Sequence, residues 1–297
     1  MEIGMSLPTM APGYTAATTL DWSRAIDAGP YSTLSTGERI TFDNPDWLVT
    51  LSAAAVVTER VRLFANLVVL PAHPVAVVAK QLATLDQLSG GRLTVGVGVG
   101  GRGHDFRAAE RPTAGRHATL DTQVAELRRL WTGERPFPRA DPVGPPPAQG
   151  ADVPILAGAM GPKAMARAAR WADGVSGFSI SGSVDEMAAG FLLAEQAWAD
   201  AGRTTAPRRV NGCFYVLDGD DDRAAATLEA FARRYLTIFG AEIAATMAAT
   251  CRVGSLGALS AVLDGAADAG CDEFVLVPGT VDLNCLTRTT DFLTARA

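Results

Sequence analysis

Eight short stretches rich in apolar and β-branched residues recur along this chain, and most are separated by segments with helical periodicity. The spacing predicts strands over 2–8, 31–36, 61–70, 92–99, 154–158, 173–180, 208–217 and 273–278. It predicts helices over 18–28, 45–59, 74–89, 116–132, 162–171, 184–201, 221–250 and 255–269, with a last helix closing the chain. Strands alternating with helices imply a parallel sheet covered by helices. Eight such units in 297 residues, with no shift of composition between them, favour one closed (β/α)8 TIM barrel over two doubly wound domains. The expectation is a single α/β domain spanning 1–297. In such barrels the chemistry gathers at the C-terminal ends of the strands, so the residues just past each strand are those to read for function.

Segment 74–89 is the clearest helix. Val75, Val78, Ala79, Leu82 and Leu85 share one face, with Lys80, Gln81, Thr84 and Gln87 on the other. Pro74 opens it and Gly90–Gly91 closes it. Residues 116–132 place Leu120, Val124, Leu127 and Trp131 on one face. Pro45 suits the first turn of its helix, where a missing N–H costs nothing. Ser183 and Glu186 have the spacing of a capping box. The proline-rich stretch 136–154 reads as a long surface connection, either a spacer or a pocket wall.

A net charge of −6 gives no basic footprint for nucleic acid or an anionic membrane. Paired arginines such as Arg128–Arg129, Arg208–Arg209 and Arg233–Arg234 adjoin apolar residues and read as solvated faces. Cys213, Cys251, Cys271 and Cys285 form no C-x-x-C pair, which suits a reduced, cytoplasmic setting. The start MEIGMSLP has an acid at position 2 and an early proline, unlike a signal peptide. No apolar run is long enough to span a bilayer unbroken. No His, Cys, Asp or Glu cluster has metal-ligand spacing, and no G-x-S-x-G elbow is present.

The fourth strand runs into glycines, LTVGVGVGGRGHD (93–105), and Gly96, Gly98 and Gly101 fit G-x-G-x-x-G. A dinucleotide loop needs those glycines where a strand meets a helix start. Here they lie partly within the strand, and a charged loop rather than a helix is expected after Gly101. Asp121 lies where a ribose-binding acid would stand but falls mid-helix. A nicotinamide-dependent dehydrogenase is therefore disfavoured. The alternation suits a barrel wall better: Val95, Val97 and Val99 face the helices, and Gly96, Gly98 and Gly100 face inward. Such a wall leaves room for a flat ring, or for close barrel packing.

With these features in place, LPAHPVAVVAKQLATLDQLSGGRLTVGVGVGG (70–101) resembles the signature of the bacterial luciferase-like superfamily. PILAGAMGPKAMARAARWADG (154–174) resembles that family's fifth strand, phosphate loop and following helix. The resemblance implies a (β/α)8 barrel that uses reduced FMN or the deazaflavin coenzyme F420, acts on a small organic substrate and forms a homodimer. It implies a non-proline cis peptide supporting the ring within Ala65–Asn66–Leu67, at Asn66–Leu67 or, less favoured, Ala65–Asn66. It assigns the cofactor phosphate to Gly158, Ala159, Met160 and Gly161, where free N–H groups and a helix start favour an anion, with Ala157 beside them as a further cofactor contact. Val97, Gly98, Val99 and Gly100 would flank the ring or ribityl chain, and Arg102 could reach the phosphate.

Many members carry a histidine at the end of the second strand; here the matching stretch is STGERI, with Glu38 near that place. Glu38 is a candidate to orient substrate or move a proton if burial raises its pKa, or to pair with Arg39 or another base. Deazaflavin-dependent members with a glutamate just after the fourth-strand glycines also differ, because Gly101–Arg102 stand there. His104 and Asp105 are candidate substrate contacts, with His104 also a candidate proton donor. His73 reads as a helix cap or a substrate contact, and His117 as solvent-facing. The expected activity is F420-dependent hydride transfer, with FMN-dependent monooxygenation as the alternative. A flavin-binding homologue without turnover is the alternative of another class, prompted by the altered second-strand motif.

Overall fold

The structure is a computed structural model that describes residues 1–296. The chain begins with β1 (Glu2–Ser6), α1 (Ala16–Ala28), β2 (Thr33–Thr36) and α2 (Trp47–Ala55). It continues through β3 (Arg62–Val68), α3 (Val75–Leu88), β4 (Leu93–Gly98), α4 (Gly103–Ala108) and α5 (Arg116–Trp131). Next come β5 (Ile155–Gly158), α6 (Pro162–Ala168), β6 (Gly174–Ser176), α7 (Val184–Asp200) and β7 (Arg208–Tyr215). The remainder is α8 (Asp221–Leu236), α9 (Ala241–Ala248), α10 (Leu256–Asp268), β8 (Glu273–Pro278) and α11 (Leu283–Arg296). The strands follow one another in sequence order around a closed parallel barrel, as the alternation of elements predicts.

Two compact units make up the described chain. One takes residues 1–35, 177–193 and 209 onward. In it β1 pairs with both β2 and β8, and β7 lies along β8 with Val210 opposite Glu273. Its core buries Met5, Trp22, Ile26, Tyr31 and Tyr215. The three large amphipathic side chains keep their polar ends satisfied: Trp22 donates to the Val281 carbonyl, Tyr31 bonds the Thr290 hydroxyl, and the Tyr215 hydroxyl accepts from Thr289.

The other unit takes residues 36–176 and 194–208, and it holds every site residue singled out from the sequence. Here β4 pairs with β3 on one side and β5 on the other, and β5 pairs with β6. Alternation along β4 buries Val95 and Val97 completely. Ala157, Met165, Ala168, Val175, Ala194 and Trp198 form an apolar cluster in the same unit.

The motif that identifies this chain most sharply, LDQLSGGRL (85–93), is a structural lock at the start of β4. Asp86 is fully buried; its carboxylate accepts from the backbone N–H groups of Leu93 and Gln149 and from the Gln149 amide. Arg92 spends its guanidinium on the carbonyls of Ala55, Thr58, Val61 and Ser89 and on the Thr58 hydroxyl. Ala55 ends α2, Thr58 and Val61 lie in the turn beyond it, and Ser89 caps α3, so most of these are carbonyls that a helix end leaves without partners. Gly90 and Gly91 both take positive φ, 65° and 82°, so that the chain can turn back into the strand.

Several local expectations change. A six-residue helix, α4, occupies part of the predicted charged loop after Gly101. It is anchored by Phe106, buried in an apolar cluster with Val69 and Ala72 that outweighs the polarity of the surrounding sequence. Asp46, not Pro45, starts α2, because its side chain accepts the Val49 N–H and leaves Pro45 one residue outside. Only half of the capping box forms: Ser183 accepts the Glu186 N–H, while Glu186 itself is taken by the Ser179 hydroxyl. The long segment 221–250 divides at Gly240, whose φ of 93° breaks the helix. Lys80 and Gln87, on the polar face of α3, hold the proline-rich connection through the carbonyls of Gly144 and Pro146.

Arg92→Ala strands the carbonyls of Ala55, Thr58, Val61 and Ser89 and lowers unfolding stability by about 3 kcal/mol in equilibrium denaturation. Arg92→Lys recovers less than half of that loss, because a point charge cannot reproduce the planar fork.

Candidate functional site

β3 and β4 pair in register as far as Ala65 opposite Val95 and resume at Val68 opposite Val97. Three steps on one strand therefore match two on the other, a bulge that interrupts the ladder. Within it the Asn66–Leu67 peptide is cis, the favoured of the two positions read from the sequence. Neighbouring elements close on this segment. Gly37 approaches the Asn66 carbonyl so nearly that a Cβ there would stand 2.6 Å from its oxygen. The Ser176 hydroxyl, at the end of β6, donates to Asn66 Oδ1 at 2.8 Å.

The glycines of β4 and β5 explain themselves against this bulge. Gly98 and Gly158 stand opposite each other, and the Leu67 side chain lies over both. A Cβ on Gly98 would meet Leu67 Cδ1 at 2.8 Å, and one on Gly158 would run into Cδ2 at still closer range. Gly96 lies beneath the Ala65 carbonyl, Phe64 and Asn66 Oδ1. The inward space predicted to stay open is thus partly filled: Leu67 occupies it and forms a low apolar shelf. Past the strand end, Gly100 takes a φ of 67° and packs against Val69 and Phe106, while Val99 lies just outside β4. Around Gly101, Gly103 and Gly161 nothing approaches within 4 Å of a notional Cβ. A shelf of one leucine on two glycines, with open space around Gly101, Gly103 and Gly161, fits a flat fused-ring group.

Glu38 is nearly buried, with its side chain 5% exposed. Its backbone N–H donates to the Leu67 carbonyl at 3.3 Å. Its carboxylate accepts the Val69 N–H at 2.7 Å and lies 2.6 Å from His73 Nε2. His73 is therefore the base that Glu38 meets. The cap reading of His73 is corrected: Pro74 occupies the cap position of α3 and no side chain caps the helix, because the imidazole is committed to Glu38. The His73 carbonyl in turn accepts from Gln123.

Arg102 and Asp105 form a second clasp. Asp105 is 3% exposed and accepts from the Thr41 N–H, the Thr41 hydroxyl and Arg102 Nε. Burial works to raise its pKa, but the bonds from Thr41 and the Arg102 charge outweigh it and hold the carboxyl below the usual range. Asp105 is thus ionised and fully engaged, which overturns its reading as a substrate contact. Arg102 also donates to the Thr41 carbonyl and lies 5.9 Å from the centre of the Phe42 ring. The arginine read as a phosphate ligand is occupied in tying the loop after β2 to the start of α4.

His104 is exposed in α4, and His117 is exposed in the first turn of α5. Ala157 is buried at the end of β5, with Gly158 half-buried beside it. The turn Ala159–Gly161 joins β5 to α6, with Met160 88% exposed and Gly161 at φ 77°. All four cysteines are buried free thiols whose pKa values burial raises, to about 11 for Cys251, Cys271 and Cys285. Among the described residues no group of His, Cys, Asp and Glu is placed to hold a metal ion, and no helix is long and apolar enough to cross a membrane.

The structure brings Glu38, Asn66, Leu67, Gly98 and Gly158 together around the bulge. Sequence reading missed Gly37, Thr41 and Ser176, and missed the pairing of Glu38 with His73. Ser176 carries a weak signal as a polar residue within the strand predicted over 173–180. Thr41 and Gly37 carry none, since their roles depend on which loop lies beside them.

Known proteins resemble this chain in sequence and in fold. A protein of Mycobacterium tuberculosis that is itself uncharacterized is 34% identical over 211 residues, 63% of this chain and 73% of its own length. A second protein of that organism, named as a candidate coenzyme F420-dependent oxidoreductase, is 30% identical over 208 residues, 62% of this chain and 59% of its own length. The crystal structure of a monooxygenase from Streptomyces bottropensis superposes with a TM-score of 0.80 at 23% identity, over 100% of both chains. The luciferase-like monooxygenase family profile matches residues 1–270. That match covers most of the chain, and the closed barrel accords with it: this chain is a member of the luciferase-like monooxygenase family.

Proposed function

We propose that this protein is an F420-dependent oxidoreductase that transfers hydride to or from a small organic substrate. The observation that carries the proposal is the Leu67 shelf, a flat apolar rest built by the bulge of β3 on Gly98 and Gly158. Leu67 and the neighbouring Asn66 would back one face of the ring, with Ala65 beneath and Val97–Gly100 along its edge. The turn Gly158–Gly161 would take the phosphate through backbone N–H groups, and Ala157 would complete the strand end that carries it. The relative named for F420 dependence supports the choice of the deazaflavin. When bound, a deazaflavin supplies hydride transfer, and reduced FMN would supply oxygen activation. The protein's own part is to orient the ring and substrate and to keep water from the reacting face. Monooxygenation with FMN is the second reading, favoured by the family's own description.

Thermal-shift titration with F420 and FMN at matched concentrations ranks the two, since a ligand binding only the native state raises the melting temperature according to its affinity. The expected result is the larger shift with F420. A larger shift with FMN would favour the second reading, and no shift with either would remove the proposal. Gly158→Ala separates shelf from fold. The new methyl displaces the flexible end of Leu67 rather than backbone, so the variant stays folded and binds the preferred cofactor about tenfold more weakly, roughly 1.4 kcal/mol. Unchanged affinity would refute the shelf assignment.

A further inference from the structure

The bulge that carries Leu67 lacks the ladder that holds the rest of β3. Between Ala65 and Val68 the register with β4 shifts, so the bonds that fix a strand in a sheet are interrupted where a rigid backbone is most useful. One residue spans the gap from the other side. Glu38, two positions beyond the end of β2, donates its backbone N–H to the Leu67 carbonyl and accepts the Val69 N–H on its carboxylate. The two bonds grip the chain on either side of Val68, where pairing with β4 resumes. The second carboxylate oxygen lies 2.6 Å from His73, beyond the short 3-10 turn Leu70–Ala72 that follows β3.

We infer that Glu38 is a positioning residue that fixes the Leu67 shelf through the backbone, with His73 holding its carboxylate, and that it is not the acid or base of the reaction. The assignment rests on the proposed cofactor reading for its functional consequence, although the grip itself is independent of any cofactor. Three features support it. Both carboxylate oxygens are engaged, one by a backbone amide and one by an imidazole, so an acid–base role would require breaking a bond that holds the bulge. The side chain is 5% exposed, against 26% for His73, so the carboxylate faces the bulge more than solvent. Gly37, the residue before it, packs against the Asn66 carbonyl closely enough to exclude any side chain. Gly37 thus lies against the Asn66 carbonyl while Glu38 bonds the Leu67 carbonyl, one on each side of Leu67.

The test compares Glu38→Gln, Glu38→Ala and His73→Ala with the native protein, first without cofactor and then with it. Glutamine keeps an oxygen for the Val69 N–H and can still bond His73, whereas alanine loses both. Without cofactor, hydrogen–deuterium exchange of the peptide containing Val69 is expected to be at least tenfold faster in Glu38→Ala and near native in Glu38→Gln. With F420 or FMN, whichever the native protein binds, Glu38→Ala is expected to weaken binding at least tenfold and Glu38→Gln less than threefold. Glu38→Gln should also keep the shape of the pH profile of kcat/KM; an acid–base role would instead remove one limb and lower kcat by roughly a hundredfold. Native exchange and affinity in Glu38→Ala, or a lost limb in Glu38→Gln, would overturn the inference. If Glu38→Ala does not fold, His73→Ala carries the comparison: weaker cofactor binding by threefold or more is expected, and native binding would overturn it. A native protein that binds neither cofactor would refute the proposed function, while the exchange experiment would still decide the grip.

Discussion

The seat of Leu67 on two facing glycines is the contact on which the rest of the site depends. A side chain larger than hydrogen at Gly98 or Gly158 would lift Leu67 off the sheet, and a sheet without the bulge would never bring Leu67 over it. Each part is pointless without the other. Glycine weakens a strand by its conformational freedom and its lack of packing surface, so β4 gives up local stability to provide this rest. The cost is offset by the complete burial of Val95 and Val97 on the opposite face.

The two ends of β4 have separate tasks. At its start, Asp86, Arg92 and Gln149 fasten strand, helix ends and connection by hydrogen bonds that exhaust the available donors. At its end, glycines remove side chains altogether. The most recognisable stretch of sequence therefore reports mostly on architecture. Within the LSGGR motif the Arg92 side chain alone makes five hydrogen bonds at once.

Periodicity made the architecture legible. Eight strands and the helices between them follow from apolar spacing, and their boundaries shift mainly where a cap or a glycine decides, as at Asp46 and Gly240. The glycine run pointed to close approach, and its reading as a barrel wall agrees with β4 as it stands. What the sequence hid was the identity of the approaching group. A leucine three positions before the 3-10 turn gives no hint that it will fold over two glycines 31 and 91 residues later. Candidate polar residues were equally opaque, for a physical reason. Glu38, His73, Arg102 and Asp105 are all short-range magnets for hydrogen bonds, and which partner each finds depends on loops that no local pattern positions. Asp105 looked available and is spent on Thr41; His73 looked like a cap and is spent on Glu38.

The clasp of Thr41 by Asp105 and Arg102 also changes what a loop is in this protein. The exits of β2 and β4 are stitched through a buried, ionised carboxylate, so they behave as one piece of surface instead of two independent flaps. A substitution in either exit will be felt in the other, and recombination between relatives will succeed more often when both segments travel together. The unit of inheritance at this mouth of the barrel is the stitched pair, even though its halves lie some sixty residues apart along the chain.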